Sequence, residues 1–303
     1  MCGIVGKFNF EPKQEEDIVM VMSHRASKQH PIDIGIQASS ITHQHLLASV
    51  ATEMRGRSAF NVVDAGCGGG ALIKYLRVGL SAIFPGVDIE VDGFDVSDFA
   101  PHGNSNLASE TKTVRSGDPW PYADHSVDVI ISNQVLEHLF EPALFFREVA
   151  RCLKLDGISV HLGPFKNVIW EDHVGVPLAH RITKPAYIRA MAKILPTQGI
   201  LKRRALALPG GEEREFGECA ADYIKKYTRY MTHREAKRLT ADAGLRASFE
   251  YTPRFYVSKL RSMDKRPPVY FYSKMPTFDN LSYWLARYIS SITLVLRHKP
   301  IGS

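Results

Sequence analysis

A carboxylate followed by a run of glycines is the feature of this sequence best suited to binding chemistry. The run is Asp64-Ala65-Gly66-Cys67-Gly68-Gly69-Gly70. Glycines allow the backbone to turn tightly and let a ligand lie against bare main chain. The helix predicted to begin at Ala71 adds free N–H donors and a positive potential. We therefore expect this loop to hold a ligand.

The acidic residue indicates which kind of ligand. In a nicotinamide dinucleotide site the usual spacing is G-x-G-x-x-G, and the loop holds a pyrophosphate. Here Asp64 stands two residues before the first glycine, and the glycines alternate. A carboxylate repels pyrophosphate but suits a cation, such as a ligand with amino and sulfonium groups. A second acid, Asp95, falls at the predicted end of the next strand, where it can accept hydrogen bonds from ribose hydroxyls.

Alternating strand and helix patterns position these acids. Strands are predicted at residues 61–64, 89–94, 111–114, 126–132 and 158–162. One helix should begin at Ala71, and another should span residues 142–153 and end at the turn Asp156-Gly157. This alternation predicts an α/β fold with a parallel sheet and helices on both of its faces.

The alternation stops after the fifth predicted strand. Residues 165–230 mix aromatic, histidine, glycine and basic residues without a strand rhythm. Thr232 and Glu235 have the spacing of a capping box, so a helix should begin there and stop at Gly244. The other elements predicted in this half are helices over residues 186–195, 218–227 and 280–288, and strands over residues 246–251 and 292–296.

Five segments resemble, in order, the motifs of the class I S-adenosylmethionine-dependent methyltransferases, in the broad group called type 11. They are residues 62–70, 93–97, 116–122, 128–138 and 147–157. The likeness covers roughly residues 45–165, and the last helix and strand more loosely. It implies a Rossmann-like, seven-stranded, mostly parallel sheet with an insertion after the fifth strand. It also implies S-adenosylmethionine as the cofactor.

The resemblance assigns the cofactor-binding residues to loops at the carboxyl ends of strands. They are Asp64, Ala65, Gly66, Cys67, Gly68 and Gly70 in the first motif, Asp95 and Val96 at the ribose, Asp118 and Pro119 at the adenine, and Asn133 and Gln134 beside the methionine part. Other roles stay open: Asp64 could cap the glycine turn, Asp95 a helix, and Asp118 could be a turn residue. For Glu137 and His138 a structural role is favoured, and Cys67 is interpreted as a small filler.

Residues 165–230 are expected to cover the methyl acceptor. Within them, His173 is the first candidate for a general base and His180 the second, although both could only hold the insertion together. Methyl transfer is a direct displacement from a sulfonium, which is already a good leaving group. No metal is therefore required, and no metal ligands are predicted.

The first residues resemble a different family. Met1-Cys2-Gly3-Ile4-Val5-Gly6 is similar to the start of class II glutamine amidotransferases, especially asparagine synthetase, but the likeness ends after Arg25. About 25 residues are too few for a two-sheet glutaminase fold. We interpret residues 1–40 as a remnant without glutaminase activity, and residues 41–303 as the methyltransferase domain.

Composition and charge narrow the class of protein, its location and its possible partners. The chain of 303 residues is 45% hydrophobic and 23% charged, as in soluble globular proteins. Four scattered cysteines, no secretory signal and no apolar run of about 18 residues predict a cytoplasmic protein without a transmembrane segment. The net charge of +6 comes with basic clusters at residues 202–204, 225–226 and 237–238. A solvated surface, an acidic substrate or a peripheral membrane contact could explain them, and no nucleic-acid motif accompanies them.

The sequence as a whole favours a methyltransferase acting on a small-molecule, sugar or lipid-linked acceptor. One alternative is a binding domain that has lost catalysis, but the intact Asp64, Gly66, Gly68 and Asp95 argue against it. A nicotinamide-dependent oxidoreductase is disfavoured by the loop spacing. A nucleic-acid methyltransferase would usually carry an Asn-Pro-Pro-Tyr type motif where residues 132–135 stand.

Overall fold

A computed structural model describes residues 40–96, 111–195, 216–264, 269–272, 279–289 and 291–300. The strands are β1 (Ala59–Ala65), β2 (Asp88–Val96), β3 (Lys112–Val114), β4 (Val127–Asn133), β5 (Leu153–Gly163), β6 (Trp170–Glu171), β7 (Val176–Pro177), β8 (Leu245–Ser248) and β9 (Ile292–His298). The helices are α1 (Ile41–Glu53), α2 (Ala71–Ile83), α3 (Pro142–Cys152), α4 (Pro185–Ile194), α5 (Phe216–Tyr227), α6 (His233–Asp242), α7 (Thr252–Met263) and α8 (Asp279–Ile289). A short 3-10 helix spans Leu136–His138.

Seven strands form one sheet in the order β3-β2-β1-β4-β5-β9-β8. The first five strands in this order are parallel, and β9 runs antiparallel to both β5 and β8. The predicted seven-stranded, mostly parallel α/β fold is confirmed. The strand order reverses between β1 and β4, and a parallel sheet of this kind binds ligands beyond the carboxyl ends of its strands at such a point.

Each face of the sheet carries its own core. On one face, Val62 packs with Leu46 of α1, Leu76 of α2 and Phe255 of α7. On the other, the next residue, Val63, packs with side chains from α3 and α6. Neighbouring residues of a strand point to opposite faces, and the run of apolar residues in β1 and β4 is buried on both. This layering fixes where the carboxyl ends of the strands lie.

The segment after β5 has a small core of its own. The hairpin β6–β7 contributes Val174 and Val176, which are buried with Ile188 of α4 and Ile224 of α5. Residues 165–230 were predicted to lack a strand rhythm, and the two-residue strands of this hairpin are too short to produce one. The described part of the segment is therefore a compact layer.

Two predicted boundaries are wrong. The turn at Asp156-Gly157 lies inside β5, which begins at Leu153 and skips register between its pairings with Val127 and Val129. The strand predicted over residues 246–251 is β8, which ends at Ser248, and Tyr251 instead precedes α7. Helix α7 begins with Pro253 in its first turn, a favourable helix start that alternation alone did not reveal.

One of the two hydrogen bonds of the predicted capping box is present. The Thr232 hydroxyl accepts the backbone N–H of Glu235 at 3.1 Å, so it caps α6 as expected. The Glu235 carboxylate turns to Arg229 instead, at 2.5 Å. Among the described residues, no helix is long and apolar enough to cross a bilayer.

Candidate active site

The glycine loop is tied to the end of β2 by backbone hydrogen bonds. Gly66 and Cys67 both donate their N–H groups to the carbonyl oxygen of Phe94, at 2.9 and 3.1 Å. Phe94 is also the residue that pairs with Ala65 in the parallel ladder. The carboxyl ends of β1 and β2 are therefore held side by side, with Asp64 on one strand and Asp95 on the other.

Asp95 closes this arrangement with its side chain. Its Oδ2 accepts the backbone N–H of Gly68 at 2.5 Å, and its Oδ1 accepts the N–H of Val96 at 2.7 Å. The carboxylate thereby orients the loop after β1 from the loop after β2. Both oxygens keep further lone pairs, which can accept hydroxyl donors.

Asp64 lies beneath the loop with an unsatisfied oxygen. The residue is buried, and its Oδ1 has no hydrogen-bond partner among the described residues. Burial, with the nearby Asp95 carboxylate as a further cause, raises the pKa of Asp64 to about 8. A buried acceptor without a partner is costly unless a ligand supplies a donor. The residue therefore fits a ligand that brings a cationic N–H group into the loop.

Asn133 and Gln134 border the loop on its other side, at the end of β4. The Asn133 Oδ1 is another buried oxygen without a partner in the described structure, while its Nδ2 donates to Thr42 at 3.3 Å. Gln134 has a positive φ of 58° and donates its backbone N–H to Leu162 at 2.7 Å. Its side chain reaches Ser291 at 3.1 Å, which anchors it to the end of the sheet.

Cys67 is a packed thiol rather than a nucleophile. It is buried, and burial together with the Asp64 charge raises its pKa to about 12. The thiolate is the reactive form of cysteine, and such a pKa keeps the group protonated at neutral pH. The interpretation of Cys67 as a filler of the loop is consistent with this environment.

Asp118 and Pro119 lie exposed in the loop after β3. The next residue, Trp120, is buried, and its ring packs 4.8 Å from the ring of Phe94, the residue before Asp95. Its backbone N–H is bound by Glu148 at 2.7 Å. The structure thus brings this loop beside the end of β2, while the Asp118 carboxylate itself faces solvent.

A second group of polar side chains lies where the segment after β5 covers the sheet. His173 Nδ1 lies 2.6 Å from the buried Glu171 carboxylate, and the Tyr230 hydroxyl donates to the same oxygen at 2.6 Å. Burial by itself would lower the pKa of His173, but the hydrogen bond and charge of Glu171 outweigh it and raise that pKa. The first candidate base is thus oriented by a carboxylate, as a general base commonly is.

Glu137 and His138 face His173 from the 3-10 helix after β4. The His138 and His173 Nε2 atoms are 3.3 Å apart. Glu137 is fully buried, and burial raises its pKa to about 7 although the nearby His173 opposes the shift. A Cβ on Gly163, the last residue of β5, would lie only 3.0 Å from Glu137 Oε2, so this carboxylate sits at the carboxyl ends of β4 and β5.

His180 stands on the far side of Tyr230, with the two rings 4.7 Å apart. Its Nε2 lies 3.1 Å from the Lys166 carbonyl oxygen. Its Nδ1 is buried without a partner among the described residues. Burial lowers the pKa of His180, which leaves the ring neutral at pH 7. The two candidate histidines are therefore neighbours of one tyrosine, and only His173 has a carboxylate partner.

A cationic cleft opens beside this group. It is lined by Asn167, Thr232, His233, Arg234, Lys237, Tyr283 and Arg287. Three of these residues carry positive charge at neutral pH, and a cleft with such a lining attracts anionic groups. Nothing in the sequence pattern places Arg287 near Arg234, since they lie in α8 and α6.

Residues 63–161 match the family model described as a methyltransferase domain. The matched segment begins in β1 and ends in β5, so it includes both the glycine loop and the acid at the end of β2. Over these residues the chain is similar to a methyltransferase domain. This match supports the predicted enzyme class and S-adenosylmethionine as the predicted methyl donor.

Curated relatives of the methyltransferase domain cover only part of the chain. A ubiquinone biosynthesis O-methyltransferase of Neisseria meningitidis serogroup C is 28% identical over 106 residues, which are 35% of this chain and 43% of that protein. A protein of the same description from Neisseria meningitidis serogroup A is 29% identical over 97 residues, 32% of this chain and 41% of that one. The chain thus spans less than half of the length of these relatives.

Solved structures with this topology are more distant in sequence. An S-adenosylmethionine-dependent methyltransferase from Mesorhizobium loti has 14% sequence identity and a TM-score of 0.44, over 82% of this chain and 96% of that one. The likeness of the first residues to an amidotransferase lies outside the described residues and outside the matched segment. No comparison supports it, and it stays a prediction.

Proposed function

We propose that the protein transfers a methyl group from S-adenosylmethionine to a hydroxyl oxygen of a small-molecule acceptor. The observation that supports S-adenosylmethionine as the methyl donor is the pair of strand-end acids, Asp64 and Asp95, on either side of the glycine loop. The unsatisfied Asp64 Oδ1 fits the donor's amino group, and the exposed lone pairs of Asp95 fit its ribose hydroxyls. Asn133 and Gln134 border the methionine part, and Asp118 and Pro119 the adenine.

The donor supplies an electrophilic methyl group: the acceptor oxygen forms the new O–CH3 bond, the S–CH3 bond breaks, and its electron pair stays on sulfur. The chain's own task is to align the acceptor, exclude water and hold the acceptor's proton. His173, oriented by Glu171, is the first candidate to take that proton, and His180 is the second. The described part of the layer, residues 165–195 and 216–230, covers this side of the site.

Two observations support the acceptor class. The curated relatives are described as O-methyltransferases, which favours an oxygen acceptor. The cleft with Arg234, Lys237 and Arg287 suits an acceptor that carries an anionic group. Sugar or lipid-linked acceptors joined through phosphate have such a group, so they remain the first compounds to assay.

The donor half is tested by titrating S-adenosylhomocysteine into the protein calorimetrically. We expect binding to the unchanged chain, and binding about 10- to 100-fold weaker in Asp95→Ala, because charge-assisted hydrogen bonds to the ribose and to Gly68 are lost. Asp88→Ala is the matched control, since Asp88 is an exposed acid at the opposite end of the same strand. Absence of binding to the unchanged chain, or equal weakening in both variants, would contradict the proposal.

The acceptor half is tested with a labelled methyl donor and a panel of hydroxylated acceptors with and without phosphate. His173→Ala should lose turnover and keep its affinity for S-adenosylhomocysteine. Normal turnover in His173→Ala would remove this residue from the reaction. An equal preference for neutral and phosphorylated acceptors would remove the cleft from acceptor binding.

A further inference from the structure

Three potential metal ligands converge at the carboxyl ends of β4 and β5. One atom each of Glu137, His138 and His173 lies within 4.8 Å of the others. We propose that this cluster binds one divalent transition-metal ion, and that zinc fits it best. Two histidines and a carboxylate form a zinc set that leaves a fourth position open. No metal ligands were predicted from the sequence, because methyl transfer from a sulfonium does not require a metal.

A backbone carbonyl fixes the orientation of the His138 ring. Its Nδ1 lies 2.7 Å from the carbonyl oxygen of Tyr227. A carbonyl can only accept, so Nδ1 must carry a proton, and in the neutral ring Nε2 is the nitrogen that can bind an ion. The partner that fixes the tautomer comes from the end of α5, in the layer that covers the sheet.

His173 is fixed in the same way from its own hairpin. Its Nδ1 lies 2.6 Å from Glu171 Oε1, and the same oxygen accepts the Tyr230 hydroxyl at 2.6 Å. With Nδ1–H donating to a carboxylate, Nε2 is the nitrogen of the neutral His173 ring that can bind an ion. Metal-bound histidines characteristically donate their second N–H to a carboxylate or a backbone carbonyl. Here His138 has the backbone carbonyl as its partner, and His173 has the carboxylate.

The two Nε2 atoms face each other. The Nε2 atoms of His138 and His173 are 3.3 Å apart. Two neutral rings with Nδ1 protonated repel at this distance unless a proton or a metal ion lies between them. In a tetrahedral zinc site with Zn–N bonds of about 2.05 Å, two ligand nitrogens are roughly 3.3 Å apart. The observed separation therefore fits two histidines bound to one ion.

The buried Glu137 carboxylate is an independent observation that favours a bound cation. Its carboxylate is fully buried, and neither oxygen has a hydrogen-bond partner among the described residues. A buried carboxylate is normally paired or bound to a metal. Because Glu137 is adjacent to His138 in the 3-10 helix, the chain presents both ligands from one rigid turn.

The open position gives the ion a role in the proposed reaction. Both histidines are partly exposed, so a ligand entering the site can reach the ion. An acceptor hydroxyl bound there would have its pKa lowered, and its proton would leave to solvent. The His173 lone pair would then bind the ion rather than the acceptor's proton. This role rests on the proposed function, whereas the ion site itself does not.

The ion site is tested on the untagged full chain after treatment with a chelator. Equimolar Zn²⁺ is added, excess is removed, and bound metal is counted by mass spectrometry. We expect one ion per chain, lost in His138→Ala and in His173→Ala. Glu171→Gln should weaken binding about tenfold or more, since it orients His173 without touching the ion. His180→Ala, which also contacts Tyr230, is the control and should keep the ion.

Cobalt and the donor product separate this inference from the proposed function. Co²⁺ should give the visible absorption of a tetrahedral nitrogen–oxygen site, and Glu137→Gln should change that spectrum. Every variant is also titrated with S-adenosylhomocysteine, which reports on folding independently of the metal. Donor binding without a stoichiometric ion would overturn the ion site and leave the proposed function standing. A bound ion in a protein without affinity for S-adenosylhomocysteine would overturn the proposed function and leave the ion site standing.

Discussion

The carboxylate of Asp95, at the end of β2, accepts the backbone N–H of Gly68 in the loop after β1 at 2.5 Å. This contact holds Asp95 against the glycine loop. The loop follows directly after the buried Asp64, so both strand-end acids border the same loop. The proximity of Asp95 is also one cause of the raised pKa of Asp64. The two carboxylates repel each other when both are ionised, and a cationic ligand would relieve that repulsion.

Donor affinity should depend on pH through Asp64. Its pKa is raised to about 8 by burial and by Asp95, and Cys67 is the other titratable group facing it. A cationic donor binds the ionised carboxylate, so affinity should rise about tenfold per pH unit up to pH 8. Calorimetric titration of S-adenosylhomocysteine at several pH values measures this slope. In Asp64→Asn the slope should disappear, and an equal slope in both proteins would contradict the assignment.

Asp64 should also destabilise the ligand-free protein as the pH rises. Its folded pKa of about 8 lies above the ordinary 3.8, so the folded state binds the proton more tightly. The corresponding stability is present below about pH 4 and is lost as the pH rises toward 8. Denaturant unfolding across this range should show Asp64→Asn gaining stability relative to the unchanged chain at higher pH. A constant difference between the two would show that the carboxyl does not titrate there.

Gly66 should tolerate no side chain, for two separable reasons. Its φ is +86°, and a Cβ would lie 2.6 Å from Val135 Cγ2. Gly56 has the same φ but nothing within 4 Å of its Cβ position, so Gly56→Ala isolates the backbone strain. We expect Gly56→Ala to cost about 1 kcal/mol of unfolding free energy. Gly66→Ala should cost a further 1–3 kcal/mol or so and should also weaken S-adenosylhomocysteine binding.

Denaturant unfolding of both glycine variants measures the two costs. Equal losses would mean that Val135 moves aside without cost. Donor binding unchanged in Gly66→Ala would mean that the loop does not carry the donor site.

Two buried neutral histidines should make the protein acid-labile. His45 lies between Tyr272 and Thr293, at 2.7 and 2.8 Å, and His161 lies between Ser132 and Ser159, at 2.8 and 2.7 Å. Burial lowers both pKa values from 6.5 to about 3. Their stability is present above pH 6.5 and is lost as the pH falls, by about 1.4 kcal/mol per pH unit for each histidine.

The corresponding test follows unfolding free energy between about pH 6.5 and 4.5, before most carboxylates protonate. His161→Gln keeps hydrogen-bonding atoms and removes the titration, so it should roughly halve the slope. A slope unaffected by either His161→Gln or His45→Gln would show that these rings are not the groups that protonate.

The sequence by itself predicted the two neighbouring acids of the proposed donor site. Asp64 and Asp95 could be placed together because each follows a strand, and parallel strands end at one edge of a sheet. The strand and helix periods behind that prediction are local properties of the chain. The errors concerned element boundaries: β5 continues through Asp156, and β8 ends at Ser248, before the helix that begins at Thr252.

Only the tertiary structure decided what surrounds the proposed acceptor site. His173 and His138 are 35 positions apart, and Tyr230 is 59 positions from Glu171. No period or motif couples such positions, because their contacts depend on how the layer after β5 folds onto the sheet. The sequence named His173, Glu137 and His138 separately, but it showed neither their contact nor the Glu171 carboxylate that orients His173. Those came from burial and from hydrogen-bond directions, which exist only once the segments have packed.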